Sequence, residues 1–199
     1  MFVLTVDQKS SRTSSDLVPE ALAQLRSRDD HGILLGPERT VGDEFQLITA
    51  HADKALTLIL HLTRGRSWSV GVGIGSVEQP VPASIREARG SAFINAREAV
   101  ESAKSDPTRL AIVNDAHSDE AQALVRLLIA LRDRRTDKGW EIYDALNEHL
   151  TQRQAAHQLG ITPAAASLRA TAAGLRVEEQ ALPALVGVLN RLNVADSEK

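Results

Sequence analysis

Glycine takes every second position in the middle of SWSVGVGIGSV, at Gly71, Gly73 and Gly75. Val70, Val72 and Ile74 alternate with them. A period of two is the signature of a β-strand. Glycine weakens a strand unless another backbone must come close to it. The run is therefore predicted to be a strand with a second element pressed on its glycine face. It is not a dinucleotide fingerprint, because no third glycine opens a helix at the required spacing.

Strand and helix patterns alternate around this run. FVLTV (2–6) reads as a short strand, and residues 16–27 as a helix carrying Leu17, Val18, Ala21 and Leu25, with Asp16 as its cap. HGILLGPERTVGDEFQLI reads as two strands around a turn at Val41–Asp43. HADKALTLILHLTRG is an amphipathic helix ended by Gly65. REARGSAFINAREAVESAKSD is a long helical pattern with a glycine near its start, and TRLAIV is a last strand. The order is βαββαβ followed by αβ. Its first six elements match a ferredoxin-like split βαβ layout, a sheet with helices on one face.

After Ile112 the strand signals stop. SDEAQALVRLLIALRDRR puts Ala121, Leu124, Leu127, Leu128 and Leu131 on one helical stripe, and DKGWEIYDALNEHL does the same with Trp140, Tyr143, Leu146 and Leu150. Two short helices and EEQALPALVGVLNRL follow. The expected class is α+β: a ferredoxin-like palm over 1–113, then a helical domain over 114–199, with the seam at Asn114–Ser118. Trp68, Trp140 and Tyr143 are expected as core anchors.

The two short helices lie in TQRQAAHQLGITPAAASLRATAAG. Thr151 and Gln154 fit a capping box. Gly160 suits a left-handed stop, Thr162 a cap with Pro163 in first position, and Gly174 a second stop. Two capped helices joined by a short turn make a helix-turn-helix.

Charge limits what such a motif can do. The net charge is −3 and neither half is basic, so DNA binding must come from local geometry. In the second helix Ala164, Ser167, Leu168 and Thr171 face outward by analogy, with Arg169 the only charge. Gln152, Arg153, Thr162, Ala164, Ser167, Leu168 and Arg169 are the candidate DNA contacts. There is no cysteine, and the six histidines form no metal-ligand spacing. MFVLTV stops at Asp7, far short of a membrane span, so a cytoplasmic protein without membrane contact is expected.

Two acids stand out in the first half. In a βαββαβ palm the end of the first strand lies beside the hairpin turn, which brings Asp7 and Asp43 to one edge of the sheet. Two carboxylates with phosphate oxygens and water suit Mg²⁺ or Mn²⁺. Arg86, Glu87 and Arg89 precede Gly90 at a helix start, where a phosphate or a solvated charged face are both consistent with the residues.

FVLTVD, RTVGDEF, SWSVGVGIGSV and GSAFINAREAVESAK together resemble class III nucleotidyl cyclases and, more distantly, the GGDEF diguanylate cyclases. The resemblance implies Asp7 and Asp43 as metal ligands, Asn95 as a nucleotide-orienting asparagine with Arg89 and Arg97 nearby, and Lys104 within reach of a phosphate. Ala99 stands where these cyclases carry an arginine, and Val41 where the GGDEF turn has its first glycine. These departures imply a degenerate palm that binds a nucleotide, mediates dimerisation or only keeps the fold. Over nearly the whole chain, VGDEFQ, WSVGVGIGSVE, SIREARGSAFINAREAVESAK and TQRQAAHQLGIT resemble the SatD family. The implied protein is a homodimeric DNA-binding regulator. The alternatives are a metal-dependent nucleotidyl-transfer enzyme and a protein–protein adaptor using the helical half.

Overall fold

A computed structural model describes residues 1–27, 32–115, 117–148 and 150–195. His31, Ala116 and His149, read above as parts of the hairpin, the seam and a helix, lie outside the described residues. The chain is mixed α and β. Strands β1 (Phe2–Gln8), β2 (Leu35–Arg39), β3 (Glu44–Thr49), β4 (Trp68–Ile74) and β5 (Leu110–Val113) form one sheet in the order β2-β3-β1-β4-β5. β1 is antiparallel to β3 and β4, β2 is antiparallel to β3, and β4 pairs with β5 in parallel. Helix α1 (Val18–Arg26) links β1 to β2, α2 (Ala52–Leu62) links β3 to β4, and α3 (Ser91–Ala103) links β4 to β5. The first two crossovers interlock, because β3 lies between β1 and β2 while β1 lies between β3 and β4.

Register sorts the side chains into two faces. Val3, Thr5 and Asp7 align with Ile48, Gln46 and Glu44 on β3 and with Gly73, Gly71 and Ser69 on β4. A Cβ on Gly71 would run into the backbone of Ala96 and Val100, and one on Gly73 into that of Ala92 and Ala96. The pressed element is therefore α3, which meets the strand through buried Ala92, Ala96, Ala99, Val100 and Ala103. Phe2, Leu4, Val6 and Gln8 point the other way and are buried. Gln8 receives the Leu17 amide at 2.8 Å, which puts the start of α1 on that second face. Ala21, Leu25, His61, Leu62 and Trp68 line one cleft there, so α2 shares it. The helices of the six-element layout, α1 and α2, thus share one face, and α3, outside that layout, takes the other. A strand face stripped to glycine lets a helix backbone settle on the side opposite α1 and α2.

Three local readings also change. Leu17, not Asp16, holds the N-cap position of α1, and Asp16 instead accepts the Val18 amide at 3.1 Å and pairs with Arg39. The long helix begins only at Ser91. Gly90 has φ 138 and abuts the Ser76 carbonyl, a conformation that interrupts any helix running in from Arg86. In α4 (Asp119–Arg132) the buried stripe is Ala121, Val125, Leu128, Ile129 and Arg132, whereas Leu127 is 68% exposed and Leu124 also faces outward.

The outer edge of β5 is closed by side chains. Ser118 Oγ donates to the Ile112 carbonyl at 2.7 Å, the Ile112 amide donates to Gln122 Oε1 at 3.0 Å, and Arg126 donates to the Leu110 carbonyl at 2.7 Å. An edge satisfied in this way has little left to pair with another strand. These bonds tie the start of α4 to the sheet. Contacts cluster as Met1–Arg126 with Leu185–Lys199, and as Leu127–Ala184.

The second unit holds α5 (Asp137–Asn147), α6 (Gln152–Gln158), α7 (Pro163–Ala172) and the first part of α8 (Leu175–Ala195). Its small core is Ile142, Ala145, Ala155, Ala156, Ala166 and Ala170. Beside it Glu178 is buried between Arg132 and Arg135, each bonded to one of its carboxylate oxygens. Both guanidinium groups lie about 5.0 Å from the Trp140 ring. Trp140 and Tyr143 meet edge to face at 5.3 Å. These two aromatics roof the ion pairs and are half-buried, while Trp68 is a buried anchor packed against Phe45. Among the described residues no helix is long and apolar enough to cross a membrane.

Candidate functional site

β1 ends at the rim where the β2–β3 hairpin turns, and the two are joined there by the Gln8 amide donating to the Asp43 carbonyl at 3.2 Å. Asp7 pairs across the sheet with Glu44 and with Ser69. The structure therefore brings Asp7 and Asp43 to one rim. The turn between them is braced: Arg39 donates to the Gly42 carbonyl at 2.5 Å and to Asp16 at 2.7 Å. Glu44 is buried, accepting from Thr40 Oγ1 at 2.6 Å and pairing with Arg97 at 3.4 Å.

Burial, followed by the negative charges of Asp43 and Glu101, pushes the Asp7 carboxyl above its ordinary range, although Lys104 pulls against this. Lys104 Nζ stands 3.3 Å from Asp7 Oδ2 and 2.9 Å from Glu101 Oε1. Burial draws the ammonium down, but its bonds to Glu101 and Asp7 outweigh burial and hold it above the ordinary lysine value. An acid whose folded pKa exceeds its unfolded one binds its proton more tightly when folded, so ionising Asp7 weakens the fold as pH rises through that window. Asp7→Asn is accordingly expected to raise the melting temperature at neutral pH. The gain should fade as pH falls to 3.8, the unperturbed aspartate value. A gain that persists well below that pH, or a loss at neutral pH, would refute the assignment.

The residues tied to nucleotide binding by resemblance are spread out. Asn95 is buried in α3 and donates to the Ile74 carbonyl at 2.9 Å and to Asp115 Oδ1 at 2.8 Å. Ile74 pairs with Phe2, whereas Asp7 pairs with Ser69, so Asn95 sits at the opposite end of the strands, about 16 Å away. Arg97 is engaged with Glu44. Arg89 lines a cleft of about 560 Å³ at the start of α3 with Ser76, Glu78, Ser91, Phe93 and Ile94. Arg86 donates to the Arg39 carbonyl at 2.6 Å and so braces the hairpin.

Sequence reasoning missed Gln8. Its buried amide donates to Ser14 Oγ at 3.0 Å and the Ser15 carbonyl at 2.7 Å, and accepts the Leu17 amide. One side chain thus fixes the loop that follows the acid at the end of β1. A polar residue in phase with the buried Phe2, Leu4 and Val6 was the available signal.

The helix pair has its expected punctuation. Thr151 Oγ1 accepts the Gln154 amide at 3.3 Å, and Gln154 Oε1 accepts the Thr151 amide at 2.9 Å, closing the capping box. Gly160 has φ 62, and the Ile161 amide returns to the Ala156 carbonyl at 2.9 Å. Thr162 caps α7 by accepting the Ala165 amide at 3.1 Å. Small Ala155, Ala156, Ala166 and Ala170 let α6 and α7 meet closely. Gln152, Arg153, Thr162, Ala164, Ser167 and Leu168 are exposed, with Leu168 72% so. Arg169 is half-buried and pairs with Glu141 on α5 at 3.2 Å.

Comparison with protein-family models, curated proteins and solved structures yields no match.

Proposed function

We propose that this chain is a DNA-binding regulator. In this reading α6 and α7 form a helix-turn-helix, and the N-terminal unit is a degenerate palm that pairs two copies. The carrying observation is the fully capped α6–turn–α7 unit, which leaves the outer face of α7 exposed. The strand order β2-β3-β1-β4 is that of a split βαβ layout, which supports the palm part of the reading. Two paired copies would present two α7 helices to two half-sites.

The side chains set the kind of contact. Gln152, Arg153 and the Thr162 hydroxyl lie at the N-terminal ends of α6 and α7, where donors and helix dipoles favour phosphate. The methyl-bearing Ala164, Leu168 and Thr171 suit thymine methyl groups in the major groove, and Ser167 bonds to any base edge. Affinity then comes from few phosphates, and base discrimination is modest. Arg169 is tied to Glu141, so Arg153→Ala should weaken binding more than Arg169→Ala. Leu168→Glu should abolish it by setting a carboxylate against the DNA. A mobility-shift assay with mixed genomic fragments at about 50 mM salt checks this. Wild-type retention by Leu168→Glu would overturn the docking.

The uncharged α7 face with Leu168 exposed also suits a protein partner. If the wild-type chain retains no DNA even at low salt, an adaptor role becomes the better reading.

A further inference from the structure

The acid rim holds like charges that must be offset. Asp7 and Asp43 share it, and the negative charge of Asp43 is felt at Asp7. Ser69, beside Asp7 on the same face, buries a hydroxyl with no hydrogen-bond partner among the described residues. Oxygen atoms thus gather at this end of the sheet as a hard cation requires. Among the described residues, however, no group of three or more His, Asp or Glu side chains could hold a metal. A positive group already stands at Asp7: the Lys104 ammonium, 3.3 Å from its carboxylate.

Lys104 is built into that position. It is the C-cap residue of α3, where the helix dipole favours a cation. Glu101, three residues earlier, holds the ammonium from the other side at 2.9 Å. The alanine face of α3 is seated on Gly71 and Gly73, which fixes the helix end relative to Asp7. A Mg²⁺ or Mn²⁺ bridging Asp7 and Asp43 would have to share the Asp7 carboxylate with the ammonium that stands 3.3 Å from its Oδ2. Two cations at one carboxylate repel, so the ammonium opposes a metal there. The rim as it stands does not fit a resident divalent ion.

We propose that Lys104 is the built-in cation of this rim: its ammonium takes the place beside Asp7 that a divalent metal bridging Asp7 and Asp43 would occupy, and so closes the acid pair to metal. Removing the ammonium leaves the two carboxylates and the Ser69 hydroxyl, with water, as ligands for Mn²⁺. The proposal is independent of DNA binding.

The test is Mn²⁺ binding to the 199-residue chain, followed by the electron paramagnetic resonance signal of free Mn²⁺. Lys104→Met keeps the aliphatic stem and removes the charge; Lys104→Gln is the second variant should the first fail to fold. The variant is expected to bind Mn²⁺ at least about tenfold more tightly than wild type, and the gain should vanish in Asp7→Asn/Lys104→Met. Equal affinity in wild type and variant, whether measurable or absent, would overturn the proposal. So would a gain that survives Asp7→Asn.

Discussion

Gly73→Ala is expected to cost the N-terminal unit its fold. A single methyl group there would overlap the Ala92 carbonyl and the Ala96 backbone. These are atoms of α3 itself, so no side chain can rotate away. Relief requires lifting the whole helix, which would also uncover the buried Ala96, Ala99 and Ala103. The cost should be about 3 kcal/mol or more, the upper end for overpacking. Gly65→Ala is the control. Its φ is 81, but a Cβ there meets nothing within 4 Å, so only about 1 kcal/mol of stability is lost, to backbone strain. Circular dichroism and urea unfolding distinguish the two variants. A Gly73→Ala chain as stable as Gly65→Ala would show that α3 does not rest on the glycine face.

Glu178→Gln should be at least as damaging in the helical unit. The carboxylate lies between Arg132 and Arg135, and all three side chains are almost fully buried. Arg135 also donates to the Ala173 carbonyl at 2.8 Å, so it cannot leave without breaking the end of α7. Neutralising Glu178 strands two guanidinium groups in a poorly solvated site, at a cost of about 3–5 kcal/mol. Replacing all three residues by apolar ones of similar volume should recover much of that loss. With Trp68 changed to Phe, the remaining tryptophan, Trp140, reports on this unit alone during unfolding. A Glu178→Gln midpoint equal to that of the parent would mean that the arginines reach water.

What could be read from the chain was mostly local. Alternating glycines announced a strand under close approach, and the Thr151–Gln154 and Thr162 caps announced two helix starts, because each depends on residues within a few positions of one another. The acidic turn at Val41–Asp43 was legible for the same reason. Relations across the fold were not. Which side of the sheet α3 would cover depends on the crossover from β4 to β5, which no local pattern records. Leu124 and Leu127 matched a helical stripe as well as Val125 and Ile129 did, and only tertiary packing chose between them. Resemblance ties Asn95 to a nucleotide, and only the fold shows its amide donating to Ile74 and Asp115. The lysine that answers the acid pair lies 97 positions beyond Asp7 in sequence, and only the seating of α3 brings it there.

The DNA reading meets its sharpest test in fluorescence anisotropy of a labelled duplex titrated with the 199-residue chain across a range of salt concentrations. Binding should appear at low salt and weaken as salt rises, with a log–log slope of roughly −2 for about two neutralised phosphates. Arg153→Ala should reduce that slope by about one. No change in anisotropy at the lowest salt, or binding indifferent to both salt and Leu168→Glu, would contradict a helix-turn-helix built from α6 and α7.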